Sequence, residues 1–422
     1  MKNHIFLAFR ERSFVFLWIG EVFTQLAGNL FTIYLVLTTF PLTKSNTAVS
    51  GVVLTFTLPA IIFGVLAGTL VDRWNKKNVL VITNILRALA ILILAFVHTN
   101  LIVIYLVSLI VSMLTQFFIP AETPLIPQIV KSEYLYSANA LFGLALNGSM
   151  LLAYVISGAV LVAFGSQGSL FSFALLLLLG SLSIFFVQYE VREGNSKSSM
   201  PTLNWRKELH KAFLLLVKTK KAYSALFLLA LTQTLVLILA TITPGYATDV
   251  LHVDISKFPI LFVTPAAIGM FLGAIVLINK FHNVAKEKII VSGLFLSGIC
   301  MVLLPYGSLI TSKEFVLNAN RMLPHFLIIS DVHIVVVLAF ILGLANSLVF
   351  VPANTMLQES ATDDTRGKLY GLLNSVVGIF SLIPIIAVGG LSDLLGVNNV
   401  VVGIGVCLLS IGVYEHVLQK KG

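Results

Sequence analysis

Long apolar runs recur along the whole chain and are separated by short polar breaks. A transmembrane helix needs about 20 predominantly apolar residues to cross the hydrocarbon core of a bilayer. The pattern therefore predicts an all-α polytopic membrane protein with twelve transmembrane helices in two six-helix bundles. The predicted spans are 14–38, 48–71, 78–98, 101–121, 135–164, 169–189, 223–247, 257–279, 288–309, 333–354, 367–391 and 397–418.

The composition excludes a water-soluble protein. Hydrophobic residues make up 58% of the 422 residues, charged residues only 11%, and the mean hydropathy is +0.99. A soluble domain carries about 25% charged residues. The net charge of +9 does not indicate nucleic-acid binding, because the basic residues lie in short loops between apolar runs. Cys300 and Cys407 both lie within apolar stretches, so we expect no disulfide framework, no metal site and no cofactor.

The distribution of Lys and Arg predicts the orientation. With the amino terminus inside, the cytoplasmic segments hold 22 of the 27 basic residues and the outer loops hold 4. Cytoplasmic loops of membrane proteins carry the excess of Lys and Arg. We therefore expect a multi-pass protein of the cell inner (plasma) membrane with both termini in the cytoplasm.

One long polar break divides the spans into six and six. Residues 190–222 are rich in Lys, Ser and Glu and are interpreted as a cytoplasmic linker. The expected domains are an N-terminal six-helix bundle at 1–189 and a C-terminal six-helix bundle at 223–422. The basic stretch within the linker has two interpretations, a helix on the anionic inner leaflet or a positively charged topology anchor.

The two halves share sequence features. The segment Phe118–Leu125 (FIPAETPL) matches Phe350–Leu357 (FVPANTML) at five of eight positions. Gly64 and Gly68 in span 2 have counterparts in span 8 with the same spacing. Six plus six related spans are typical of a duplicated transporter with a central cavity.

Span 1 carries a polar stripe within an apolar helix. Glu21, Gln25, Gly28 and Thr32 share one helix face, with Asn29 beside them. Burial in a membrane disfavours the charged form of a carboxyl group, so Glu21 is a candidate site for taking up and releasing a proton. The alternative is a static carboxylate held by a basic partner.

Arg87 in span 3 is the candidate partner, since its distance from the cytoplasmic end of its span resembles that of Glu21. A pair with the region of Asp72 is the competing interpretation. Further polar positions in the spans are candidates for the substrate pathway, although buried amides more often join helices to one another. These positions are Gln116, Asn147, Gln233, Asn346 and Asn374.

The end of span 2 and the following turn, Gly64–Lys77 (GVLAGTLVDRWNKK), hold the most specific motif of the chain. The glycines, the Asp72-Arg73 pair and the basic turn resemble the signature of the major facilitator superfamily. This resemblance implies a conformational gate that includes Gly64, Gly68, Asp72, Arg73 and Lys77. In the family the equivalent acid holds the two halves together in the outward-open state, and the start of span 11, with Arg366, is its expected counterpart.

Three further segments resemble bacterial efflux carriers of the macrolide-exporter and siderophore-exporter type. They are Phe9–Gly28, Phe118–Ala140 and Gln358–Asn374. The resemblance implies a proton-driven exporter that works by alternating access and is not an enzyme. Asn29 stands where members often carry an acid, and Ile156-Ser157-Gly158 stands where antiporters carry a Gly-Pro pair.

The expected partners are a small amphipathic substrate, a proton as coupling ion and the lipid bilayer, with the protein as a monomer and without nucleic acid. Two other functions stay open from the sequence. One is a transporter of lysophospholipids or other lipids from the same superfamily, and the other is a membrane receptor that does not transport.

Overall fold

The computed structural model describes residues 4–71, 73–188, 220–280, 284–306, 331–360 and 363–421. Long α-helices account for most of these residues. The helices are α1 (Arg12–Thr43), α2 (Asn46–Val71), α3 (Lys76–Phe96), α4 (Leu101–Ile129), α5 (Leu135–Phe185), α6 (Lys220–Gly245), α7 (Thr264–Lys280), α8 (Lys286–Leu303), α9 (Asp331–Glu359), α10 (Asp363–Leu395) and α11 (Val397–Lys421).

The part of the chain that the structure describes contains 11 segments long and apolar enough to cross a membrane. One of these, Ser132–Phe185, has 54 residues and is too long for a single crossing. Within it, Gly165 has a φ of 66° and interrupts the helical backbone of α5. The break separates two spans, as the sequence predicts, so the twelve-helix all-α fold is confirmed.

The start of predicted span 8 differs from the expected continuous helix over 257–279. Short turns precede α7, namely a 3₁₀ turn at Ile255–Lys257 and a π-helical turn at Pro259–Val263. Pro259 stands at the start of the π-helical turn, where its missing N–H group would have no helical partner. The regular α-helix begins only at Thr264.

The described chain forms two compact units. Unit 1 comprises Met1–Leu42 and Gly51–Lys211, and unit 2 comprises Thr43–Ser50 and Ala212–Gly422. Most of the predicted linker at 190–222 lies outside the described residues. The predicted domain limits stay a prediction.

In unit 1, α1 packs against α5 and α3. Trp18 donates a hydrogen bond to the carbonyl oxygen of Leu141 at 2.8 Å, and Ser183 donates to that of Phe16 at 2.7 Å. A Cβ atom on Gly20 would lie 3.0 Å from the carbonyl oxygen of Gly180, which shows how closely the two backbones approach. Close approach of small residues is a common means of packing helices in membranes. It fixes the position of α1, which carries Glu21.

In unit 2, α9 packs against α6, α7 and α8, while α8 also packs against α11 and α6 against α10. Gly343 on α9 lies against the backbone of Ala266 on α7, where an added Cβ atom would overlap the carbonyl oxygen. Gly269 on α7 has the same relation to Phe340 on α9. Glycines on both helices therefore permit this close contact.

Candidate functional site: a buried carboxyl pair

Glu21 lies in the interior of unit 1. Its side chain is 0% exposed, and Gln25, one turn further along α1, donates a hydrogen bond from Nε2 to its Oε1 at 2.7 Å. Asn29 in turn donates to the carbonyl oxygen of Gln25 at 2.7 Å. The predicted polar stripe thus forms a chain of contacts along α1. The second carboxyl oxygen of Glu21, Oε2, is buried and receives no hydrogen bond from an N–H or O–H donor of the protein.

Glu122 on α4 is the second member of the site, and the sequence interpretation missed it. Its side chain is 4% exposed, and its carboxyl group interacts electrostatically with that of Glu21. The Oε2 atom of Glu122 is also buried without a protein donor. Two carboxylates can only accept hydrogen bonds, so a bond between two carboxyl groups requires a proton on one of them. A hydrogen bond within the pair is therefore possible only when one of the two groups holds a proton.

Arg87 on α3 supplies the positive charge near this pair. It is 3% exposed, donates to the side-chain oxygen of Asn84 and lies 3.4 Å from the hydroxyl of Thr115. Its guanidinium carbon lies 4.6 Å from the centroid of the Phe118 ring, a cation–π geometry. Asn84 is fixed by a bond of 2.8 Å to Thr24 on α1. Arg87 is thus held by polar and aromatic neighbours.

The sequence left two interpretations of Glu21 open, a site that exchanges a proton and a static carboxylate held by a basic partner. Among the described residues, direct ion pairs join Lys131 with Glu11 and Lys286 with Glu359, and neither involves Arg87. The positive charge of Arg87 interacts electrostatically with both Glu21 and Glu122. The arrangement therefore favours a carboxyl pair biased by a nearby cation over a single carboxylate locked in a contact ion pair.

The net charge of the cluster depends on one proton. With one proton on the pair, the remaining carboxylate balances Arg87 and the buried cluster is neutral. Removing that proton leaves one negative charge in excess, and adding a second leaves one positive charge. An uncompensated charge in a low-dielectric interior is costly. The cluster is suited to exchanging a proton when another event changes its surroundings.

One sequence signal could have identified Glu122. It lies in the segment Phe118–Leu125 that repeats in the second half, where Asn354 occupies the matching position. The two halves therefore differ at this position, with an acid in the first and an amide in the second, and this difference draws attention to Glu122. The prolines around it, Pro120 and Pro124, lie inside α4, where each removes one backbone hydrogen bond.

The other predicted pathway residues fall in different places. Asn147 is exposed on α5 and donates to the carbonyl oxygen of Gly143 at 2.8 Å. Gln116 is half-buried on α4, in the same unit as the carboxyl pair. Gln233 and Asn346 belong to unit 2, where the amide of Asn346 lies 3.9 Å from the sulfur of Met270. These two amides therefore lie outside the unit that holds the carboxyl pair.

The predicted gate is described only in part. Asp72 lies outside the described residues, as do the side chains of Arg366 and Asn374 and the surroundings of Gly64. Arg73 is exposed, and the ammonium of Lys77 lies 5.2 Å from the centroid of the Phe185 ring. A Cβ atom on Gly68 would contact nothing. The gate residues stay a prediction.

The family profile of the Major Facilitator Superfamily matches residues 17–318, well over half of the chain. The chain belongs to the Major Facilitator Superfamily. Membership of this superfamily, together with the membrane-spanning helices, identifies a multi-pass membrane transporter and confirms that the chain is not an enzyme. The resemblance derived from Gly64–Lys77 is thereby confirmed.

Relatives within the superfamily cover nearly the whole chain. The MFS-type transporter YfiS of Bacillus subtilis (strain 168), itself uncharacterized, is 21% identical over 409 residues, 92% of this chain and 88% of YfiS. Macrolide efflux protein A of Streptococcus pyogenes is 23% identical over 399 residues, 92% of this chain and 91% of that protein. The similarity to a macrolide exporter therefore extends beyond the three short segments to nearly the whole chain.

Solved structures show the same fold. The nucleoside transporter NupG aligns with a TM-score of 0.69 at 14% identity and covers 96% of this chain and 99% of its own. A bacterial homologue of the human lysosomal transporter Spinster aligns with a TM-score of 0.69 at 14% identity, over 100% of this chain and 98% of its own. At this level of identity the likeness establishes the superfamily fold and leaves the substrate open.

Proposed function

We propose that this Major Facilitator Superfamily protein is a secondary active transporter that exports small amphipathic compounds in exchange for protons by alternating access. The observation that carries the proton coupling is the burial of two acids in unit 1, Glu21 and Glu122, each with one carboxyl oxygen that lacks a protein donor. Ionisable residues buried in membrane spans are costly and mark substrate, ion or proton pathways.

The pair supports coupling through its charge. Arg87 balances the cluster when the pair holds one proton, so the protonated state is the stable one inside the apolar interior. A conformational change that brings water to Glu21 or Glu122 solvates the charged form and permits the proton to leave. Proton release would then accompany one step of the transport cycle.

The export direction and the substrate class rest on similarity. Macrolide efflux protein A, whose name states the export of macrolides, aligns with 92% of this chain. A macrolide is an amphipathic molecule of the kind that the sequence resemblance implies. We therefore choose a macrolide as the first substrate to test.

Everted membrane vesicles provide the test, because their lumen corresponds to the outside of the cell. We expect vesicles with an acidic lumen to accumulate a radiolabelled macrolide, and to release it when a protonophore dissipates the pH gradient. The matched control is vesicles from the same strain without the protein. Equal accumulation in both vesicle types would contradict macrolide export.

The two alternatives from the sequence predict other results in the same vesicles. A lipid transporter would move a fluorescent lysophospholipid between the leaflets and leave the macrolide outside. A receptor would bind ligand without any accumulation against a gradient. No contact in the described residues favours either alternative, so both stay predictions.

A further inference from the structure

A groove in unit 2 opens between α7 and α8. The helix α9 packs against both of them, so it forms the floor of the groove while α7 and α8 form its walls. The groove encloses about 240 Å³. Its lining comes from the second half of α7, the start of α8 and the middle of α9, and includes Gly273, Val276, Lys288, Ile289, Leu344 and Leu348. All of these residues belong to unit 2, so the groove lies within one compact unit.

The lining of the groove is apolar except near its mouth. Val276, Leu344 and Leu348 contribute only hydrocarbon to it. Ser292 on α8 also lines the groove, but its hydroxyl donates to the carbonyl oxygen of Ile289 at 2.7 Å. The hydrogen of this hydroxyl is therefore engaged within α8, and the interior of the groove suits a hydrocarbon ligand.

The size of the groove distinguishes it from a pocket for the transported compound. Pockets that bury drug-sized ligands enclose about 300–1,000 Å³. The groove is smaller than this range. A single acyl chain is much narrower than a macrolide ring, so the groove suits one hydrocarbon chain.

The mouth of the groove lies on an apolar surface. Val276 on α7 and Val284 just before α8 are both exposed there. Leu272 and Ile275, which neighbour Val276 on α7, are exposed as well. An exposed apolar surface of this kind on a membrane protein faces lipid chains. The groove is thus open to a chain that enters from the bilayer.

One cation stands at the mouth. Lys288 is exposed near the start of α8. Its neighbour Lys286 already binds both carboxyl oxygens of Glu359 at the end of α9, at 2.6 Å each. Neither ion pair in the described part of the chain includes Lys288. The positive charge of Lys288 is therefore available to a ligand whose apolar part occupies the groove.

The groove runs from the end of the spans towards the middle of the bilayer. The distribution of Lys and Arg predicts that the turn between α7 and α8, with Lys280, Lys286 and Lys288, faces the cytoplasm. Along α9, Leu344 lies about 22 Å from Glu359 at a rise of 1.5 Å per residue. The hydrocarbon core of a bilayer is about 30 Å thick. The inner end of the groove consequently lies at acyl-chain depth, whereas Lys288 lies at headgroup depth.

We propose that this groove binds an anionic phospholipid of the inner leaflet, with one acyl chain between α7 and α8 and the phosphate on Lys288. Anionic lipids are enriched in the inner leaflet, and basic pockets between transmembrane helices on the cytoplasmic side bind their headgroups. A zwitterionic lipid has the same chains, but its own positive charge lies beside the phosphate and competes with Lys288. The site consequently selects the lipid by its headgroup charge.

Native mass spectrometry of the purified, delipidated protein tests this site. The protein is titrated with an equimolar mixture of phosphatidylglycerol and phosphatidylcholine. We expect the wild type to retain one phosphatidylglycerol at concentrations at which phosphatidylcholine is not retained. Lys288→Gln is expected to weaken phosphatidylglycerol binding about fivefold, the effect of removing one cation near an anionic headgroup. Lys288→Arg keeps the charge and is expected to bind as the wild type does.

Lys257→Gln is the matched control. Lys257 is also an exposed lysine of unit 2, but it lies on a predicted outer loop and does not line the groove. The same chemical change at this position is expected to leave phosphatidylglycerol binding at the wild-type level.

A second variant tests the groove without changing the charge. Val276→Trp places an indole in the mouth, and because Val276 is exposed, the larger side chain does not enter the core. We expect this variant to lose the retained phosphatidylglycerol although Lys288 is present. Equal retention of both lipids by the wild type would overturn the proposal, as would wild-type binding in folded Lys288→Gln and Val276→Trp. The titration needs neither substrate nor pH gradient, so its result is independent of the transport function proposed above.

Discussion

Glu122→Gln is expected to reduce pH-driven macrolide accumulation in everted vesicles about 100-fold, within the range seen when a proton-transferring group is removed. Glutamine preserves the size of the side chain and can donate to Glu21, so the packing around the pair is retained. What is lost is the second carboxyl group and hence the shared proton. Glu21→Gln is expected to have the same effect, because either acid alone leaves an incomplete pair.

Glu133→Gln is the matched control for both variants. Glu133 lies in the short 3₁₀ turn before α5 and is exposed, so the same chemical change occurs without burial. We expect this variant to accumulate the macrolide at the wild-type rate. If folded Glu122→Gln protein kept the wild-type dependence on lumen pH, Glu122 would have no part in coupling.

Arg87→Met is expected to destabilise the folded protein by about 3 kcal/mol, the typical cost of removing one partner from buried charges. The substitution retains most of the apolar volume that lies on Phe118 but removes the positive charge that balances the carboxyl pair. The carboxylate of the pair would then be buried without compensation. The measurement is the midpoint of thermal denaturation of the purified protein in detergent.

A triple variant separates charge from packing. Combining Arg87→Met with Glu21→Gln and Glu122→Gln removes all three ionisable groups from the cluster at nearly constant volume. We expect the triple variant to recover most of the lost stability, since a neutral cluster needs no cation. A triple variant as unstable as Arg87→Met alone would show that Arg87 acts through its contacts with Asn84 and Phe118 and not through charge.

The sequence predicts the spans well because a bilayer imposes one dominant requirement, a continuous apolar segment of sufficient length. The gap predicted between 164 and 169 coincides with the break at Gly165. The start of α7 was harder to predict, since Pro259 lies in an apolar stretch whose composition fits a helix. Composition reports that a segment is apolar and does not report where the regular hydrogen bonding begins.

The site was predictable only in part. Glu21 and Arg87 stand out because each is a charged residue within an apolar run, and the structure places both in unit 1. Glu122 lies in the segment Phe118–Leu125, which the sequence analysis interpreted only as evidence of duplication. Its pairing with Glu21 depends on how α1 and α4 pack.

Counting protons tests most directly whether the Glu21 and Glu122 pair exchanges one proton during transport. The purified protein is mixed with saturating macrolide in weakly buffered solution, and a pH-sensitive dye reports the protons released. We expect about one proton per wild-type molecule, as the charge of the cluster requires, and none from Glu21→Gln or Glu122→Gln. Equal release from the wild type and both variants, or no release from wild-type protein that binds the macrolide, would contradict the shared proton.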